Sequence, residues 1–264
     1  MLNFSVNLGF LFNELPFLER IPAAARPGVR GIEFPHRDVP PEAIAAAAKA
    51  AGLAIAQFNA PSGNEEPGVH GLCVGKDRGE QFARTIDQAV ESARIYGNNF
   101  SGLIHVIAGT PESDESQDIL EARMVERIGY AADKFAEHGL TVLLEPLNPY
   151  DVPGYFLNDM EQGLRIAEKT GRNNVKLQYD LYHAQRTRGD LVQFLRDHFD
   201  AVGHIQVADN PGRHQPGTGE INYPFIFDEL QRLDYRGWVG IEYVPDPSSE
   251  LSFGWLRDMG LDAE

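Results

Sequence analysis

The chain has 264 residues, a length that fits one large α/β barrel or two small domains and can bury a sizeable core without disulfide staples. Its 39 acidic residues against 23 basic ones leave a formal charge of −16, which repels phosphate backbones and anionic lipid heads and disfavours nucleic acid and membrane partners. One cysteine, Cys73, excludes an intrachain disulfide framework and suits a reducing compartment, so a cytoplasmic protein is expected.

The opening MLNFSVNLGFLFNEL is apolar but lacks a basic leader region and a small-residue cleavage site, so it reads as a first strand, Phe4–Phe10. No run of about 18 apolar residues follows, and no transmembrane helix is expected. Val29–Phe34 is the second strand, and Pro41–Ala51 a helix with Pro41 where a first turn begins. Ala54–Asn59 is the third strand. After it comes Pro61–Lys76, a Gly/Pro-rich stretch of a length that compact domains keep for a purpose. His70, Lys76 and Arg78 are its candidate lid cations, with plain surface positions as the alternative. Then come a helix over Arg78–Tyr96, a strand over Leu103–Ala108, a helix over Glu115–His138 and a strand over Thr141–Glu145. The rest reads helix Asp159–Thr170, strand Val175–Tyr179, helix Leu191–Phe199, strand Gly203–Ala208, helix Tyr223–Leu233 and strand Val239–Tyr243. Several helices end at a glycine, a C-cap signal. Eight short apolar strands alternating with helices, and no linker between them, predict a single domain over residues 1–264, an α/β fold of the (β/α)8 TIM-barrel type. A doubly wound open sheet is the competitor, though it usually carries fewer repeats or an added domain.

Polar residues gather at the carboxyl ends of consecutive strands. TVLLEP ends at Glu145, VKLQYD at Asp180, HIQVAD carries Gln206 and Asp209, and WVGIEYVP carries Glu242. In a barrel, active-site groups come from that rim. One glutamate at a strand end is ordinarily a salt-bridged rim residue. Several carboxylates at one mouth crowd negative charge, and a divalent cation relieves it. Glu145, Asp180, Gln206 and Glu242 form an all-oxygen set that favours a hard ion, Mg2+ or Mn2+, over structural zinc. Gln206 has the alternative of bonding only to backbone. Around this set, His183 and Arg213 are candidate substrate-binding groups, the arginine for a carboxylate. His105 points from strand four toward the same rim, with a packed core histidine as the alternative. No GxGxxG, GxSxG or HExxH pattern occurs, and Cys73 lacks an identifiable base partner and receives no role.

The segments FSVNLGFLFNELPFLER, EPLNPYDVPGYFL, LQYDLYHAQ, GHIQVADNPGRHQPGTGEINYPFIF and YRGWVGIEYVP together resemble the hydroxypyruvate isomerase family of xylose-isomerase-like TIM barrels. The likeness runs along nearly the whole chain. HVIAG around His105 and RHQP from Arg213 are similar to the sister 2-oxo-tetronate isomerases. The resemblance implies metal ligation by Glu145, Asp180, Gln206 and Glu242, with Glu145 and Glu242 as proton donor and acceptor. It implies substrate binding by His183 and Arg213, as in related sugar epimerases, and His105 and His70 complete the expected substrate set. The family often reads Glu-Tyr-Lys-Pro after strand eight; here Val244 follows Tyr243, and a rim lysine is missing.

The expected activity is therefore a metal-dependent isomerisation of hydroxypyruvate to 2-hydroxy-3-oxopropanoate through an enediolate. The alternatives are a 2-oxo-tetronate isomerase or a ketose 3-epimerase of the same fold. The partner is a small keto-acid or sugar-acid substrate. A homo-oligomer is compatible with such a barrel. An endonuclease IV-type enzyme would need a His-rich three-zinc cluster and a basic DNA face, which the −16 charge opposes.

Overall fold

The computed structural model describes residues 2–26, 28–63, 71–112 and 114–262. Eight parallel strands close into a barrel in sequence order: β1 (Asn3–Asn7), β2 (Val29–Phe34), β3 (Ala54–Asn59), β4 (Leu103–His105), β5 (Thr141–Leu144), β6 (Val175–Asp180), β7 (Val202–Val207) and β8 (Trp238–Ile241). Closure is made by β8 against β1, where Asn3 faces Trp238 and Val6 faces Ile241. The (β/α)8 expectation holds.

Nine helices among the described residues wrap the barrel: α1 (Phe17–Ala23), α2 (Pro41–Ala50), α3 (Gly79–Tyr96), α4 (Gln117–Ala136), α5 (Met160–Thr170), α6 (Leu181–Thr187), α7 (Leu191–His198), α8 (Tyr223–Arg232) and α9 (Gly254–Asp258). Capping chemistry sets several ends. Asp159 accepts the Gln162 N–H at 3.1 Å to start α5, and Gly171 stops it in the left-handed region at φ 65°. Three helices, α1, α6 and α9, were not expected from the sequence.

Along most strands one face is apolar and the other polar; β5, with Val142, Leu143 and Leu144 all buried, is apolar on both. Phe4 and Val6, Ile32 and Phe34, Val142 and Leu144, Leu177 and Tyr179, Ile205 and Val207, and Val239 and Ile241 are all buried. They point outward, under the helices: Phe4 meets Phe227 of α8 and Trp255 of α9 edge-on, and Tyr179 stacks on Phe194 of α7 at 4.9 Å. Among the alternate positions, which point inward, are Ser5, Asn7, Glu33, Gln57, Gln178, Asp180, His204 and Gln206, every one buried. Hydrogen bonds between strands that are not neighbours prove the direction. Gln57 of β3 donates to Gln178 of β6 at 3.2 Å, and His204 of β7 lies 2.9 Å from Glu33 of β2.

Two strands, β1 and β4, end three residues before the expected position, and the other strand ends fall within two residues of it. β1 stops at Asn7 instead of Phe10, because the Asn7 carbonyl accepts the Phe10 and Leu11 N–H groups and its side chain accepts the Gly9 N–H at 2.8 Å, turning the chain. β4 stops at His105 instead of Ala108.

Candidate active site

The carboxyl ends of β5, β6 and β8 bring Glu145, Asp180 and Glu242 to one mouth of the barrel. Asp180 closes β6 and also caps α6: one oxygen accepts the Tyr182 and His183 N–H groups at 2.7 and 3.3 Å. Its other oxygen faces the site, 3.4 Å from Arg213 Nη2. The same nitrogen donates to Glu242 at 2.6 Å. Arg213 sits in the loop after β7 with φ 56°, and its carbonyl accepts the Val244 N–H at 2.7 Å. Its guanidinium lies 4.4 Å from the Phe10 ring centre and 5.1 Å from that of Tyr182.

These charges shape each other. Burial, then the charges of Glu242 and Asp180, push Glu145 well above the usual carboxylate range. Burial pushes Glu242 up to about 8 even though Arg213 pulls it down. Asp180 is also raised by burial, against the pull of Arg213 and the α6 N–H groups. Burial depresses His105 to about 3 and His183 well below the imidazole range, so both rings are neutral.

His183 is oriented from behind. Its Nδ1 accepts the Asn148 backbone N–H at 3.1 Å, which leaves the ring proton on Nε2. That Nε2–H faces Asp180 at 3.7 Å and Glu145 at 4.0 Å. One atom each of Glu145, Asp180 and His183 lies within 4.8 Å of the others, a spacing that could hold a metal ion. The fixed tautomer makes His183 a donor in that group and leaves ligation to the carboxylates. His105 Nδ1 stands 3.5 Å from Glu145. Among the described residues, both His105 nitrogens, Glu145 Oε1 and Arg213 Nε are buried without a hydrogen-bond partner. Such orphaned polar atoms fit a site that receives a polar ligand.

Gln206 lies in the barrel with its amide NH2 toward carboxylates, 2.7 Å from Glu33 and 2.5 Å from Glu242. Its carbonyl accepts from Gln178 at 2.8 Å. The structure thus brings together Glu145, Asp180, Gln206, Glu242, His183, Arg213 and His105. His70 lies outside the described residues. Lys76 is exposed and Arg78 pairs with Glu112 at 3.0 Å. Asp209 is spent on structure, accepting the N–H groups of Asn210, Gly217, Gly219 and Ile221.

Sequence reasoning passed over Glu33, Asn7, Ser5, His204, Gln57 and Gln178. The available signal was their period of two: Ser5 and Asn7, Gln57 and Asn59, Gln178 and Asp180, and His204 and Gln206 each sit two apart in otherwise apolar strands. Glu33 is completely buried. Burial opposes its charge, but His204, Gln206 and Ser5 hold it below the usual carboxylate range.

Comparisons with known proteins agree with this architecture. The model of the xylose isomerase-like TIM barrel family matches residues 21–259. A 2-oxo-tetronate isomerase from Cupriavidus necator is 40% identical over 97% of this chain and 98% of its own length. The hydroxypyruvate isomerase of Escherichia coli is 37% identical, again over 97% and 98% of the two chains. A crystal structure from Brucella melitensis, named as a family 2 AP endonuclease, superposes with a TM-score of 0.93 at 37% identity, covering 98% of this chain and 99% of that one.

Proposed function

The chain belongs to the xylose isomerase-like TIM barrel family, and from that premise we propose that it is a metal-dependent isomerase converting hydroxypyruvate to 2-hydroxy-3-oxopropanoate. The isomerase class rests on relatives of that name matched over nearly all of both chains. The finer reading is carried by one observation: Asp180 and Glu242 both lie against Arg213, and one atom each of Glu145, Asp180 and His183 lies within 4.8 Å of the others.

The donor set fits a hard divalent cation. Glu145 has a buried oxygen without a partner, and the neighbouring groups are carboxylates. Glu145, Asp180 and Glu242 would hold Mg2+ or Mn2+. Gln206 would join them through its carbonyl only by turning its amide away from Gln178. When bound, the cation supplies positive charge against the negative charge that develops on the substrate oxygens.

The chain's own residues carry the proton transfers. One glutamate removes a proton from C3 of hydroxypyruvate, and the electron pair forms the C2–C3 double bond of the enediolate. The other delivers a proton to C2, while the hydroxyl proton passes from the C3 oxygen to the C2 oxygen. Glu145 and Glu242 divide these roles. Burial and neighbouring carboxylates raise both before the cation arrives, which makes each a stronger base than an exposed carboxylate. Arg213 offers its unpartnered Nε–H to the substrate carboxylate, steadied between Phe10 and Tyr182. His183 offers an N–H, and His105 a neutral ring, to the substrate's oxygens.

A second reading, isomerisation of a four-carbon 2-oxo-tetronate, is favoured by the 40% identical relative of that name and by the HVIAG and RHQP segments. DNA cleavage, suggested by the name of the Brucella protein, is opposed by the −16 charge. The deciding experiment assays metal-stripped and Mg2+- or Mn2+-reloaded protein on both acids, with products identified by NMR. Hydroxypyruvate turnover restored by the ion is expected. Turnover that survives complete stripping, or product only from a tetronate or a ketose, overturns the proposal.

A further inference from the structure

We propose that Glu33 is a positioning residue: its buried carboxylate aims the side-chain amides of Asn7 and Gln206 so that both donate to the same oxygen of Glu242. The inference rests on the reading of Glu242 as part of the reacting site.

Glu33 is the next-to-last residue of β2 and receives four side chains from two other strands. Its Oε1 accepts from Gln206 Nε2 at 2.7 Å and from Asn7 Nδ2 at 3.2 Å. Its Oε2 accepts from Ser5 Oγ at 2.7 Å and lies 2.9 Å from His204 Nε2. The two amides do not stop there. Asn7 Nδ2 and Gln206 Nε2 each reach Glu242 Oε2 at 2.5 Å. An amide nitrogen carries two hydrogens, and here each amide spends one on Glu33 and one on Glu242.

Their opposite ends are committed as well. Gln206 Oε1 accepts from Gln178, and Asn7 Oδ1 accepts the Gly9 N–H at 2.8 Å. Turning either amide over would set its carbonyl oxygen against two carboxylates. Glu33 is the acceptor common to both amides, so its charge decides that Glu242 meets N–H groups and not oxygens. Space for that carboxylate exists because residue 240 is glycine: a Cβ there would come within 2.5 Å of both Glu33 oxygens. With Oε2 tied to the amides, Glu242 turns Oε1 to Arg213 and the site mouth.

A purely structural Glu33 would cost stability when replaced and leave the chemistry of the folded protein alone. A positioning Glu33 changes the chemistry. Glu33→Gln in the full chain removes the charge that both amides face and leaves one carbonyl oxygen in place of two, so the amides are held less firmly toward Glu242. The expected result is kcat lowered about 10–100-fold with KM within about threefold, and binding of Mn2+ alone weakened about 10–100-fold by calorimetry, the range for groups that orient metal ligands. Asn7→Ala leaves Glu33 three donors and tests the same link in a milder variant; it should lose kcat in the same direction, and adding it to Glu33→Gln should cost little more. A folded Glu33→Gln protein with wild-type kcat and the same Mn2+ affinity as wild type, including none, overturns the inference. If Glu33→Gln does not fold, wild-type kcat and Mn2+ affinity in Asn7→Ala overturn it. Wild-type protein inactive on both acids would sink the proposed function, and the Mn2+ titration would still decide the role of Glu33.

Discussion

Replacing Arg213 with methionine removes a guanidinium that lies 2.6 Å from Glu242 and 3.4 Å from Asp180, together with its contacts to the Phe10 and Tyr182 rings, while keeping an unbranched apolar stem. Removing one partner of a buried ion pair costs about 3–5 kcal/mol, because the other charge stays buried. At about 2–4 °C per kcal/mol for a domain near this size, melting should fall by about 6–20 °C. The deficit depends on pH. Glu242 is raised to about 8 in the fold with Arg213 present, from an ordinary value of 4.5. A raised carboxyl favours the fold fully below its ordinary value, and that advantage is lost as pH climbs through the folded value. Without Arg213 the folded value rises further, so the loss continues to higher pH. In chelator-treated protein the deficit of Arg213→Met relative to wild type should be smallest near about pH 5 and largest near about pH 9. Thermal denaturation of both proteins across that range is the assay. A deficit of the same size at every pH, or none at all, would refute the charge-clamp reasoning.

Glu145→Gln and Glu242→Gln should each lower kcat by about 10²–10⁴-fold while circular dichroism stays native, since each removes a proton-transfer group and a repelling charge together. Wild-type rates in either variant would end the two-glutamate scheme. Mn2+ binding to stripped protein near neutral pH should release protons, because Glu145, Glu242 and Asp180 are all shifted upward before the ion arrives. Calorimetry in two buffers of different ionisation heat reads this; identical heats would contradict it.

The barrel was legible because parallel strands covered on both sides leave compact apolar runs, and all eight were found near their places. The rim carboxylates were legible because a charge at the end of an apolar strand is conspicuous. Glu33 carries the same signal, but it stands within VRGIEF instead of after it, and its partner His204 is 171 residues away in the chain. No local pattern announces a partner at that distance. The helix α6 follows β6 without a connecting turn, because Asp180 both ends the strand and caps the helix; no turn signal marks where one gives way to the other. Helix α1 carries Pro22 inside it, a residue that ordinarily argues against a helix. The tautomer of His183 depends on a backbone N–H, that of Asn148, which no side-chain motif encodes.

The lining of the barrel has a bearing on how its staves find their alignment. Branched aliphatic side chains tolerate a slide of one stave by two positions, since the in–out alternation survives the move. Amides and carboxylates do not: such a slide of β7 would carry Gln206 past Glu33 and set another side chain against a negative charge sealed from water, at a cost of several kcal/mol. The polar lining therefore acts as a combination lock, opposing any alignment of the eight similar staves that would strand one of its charges.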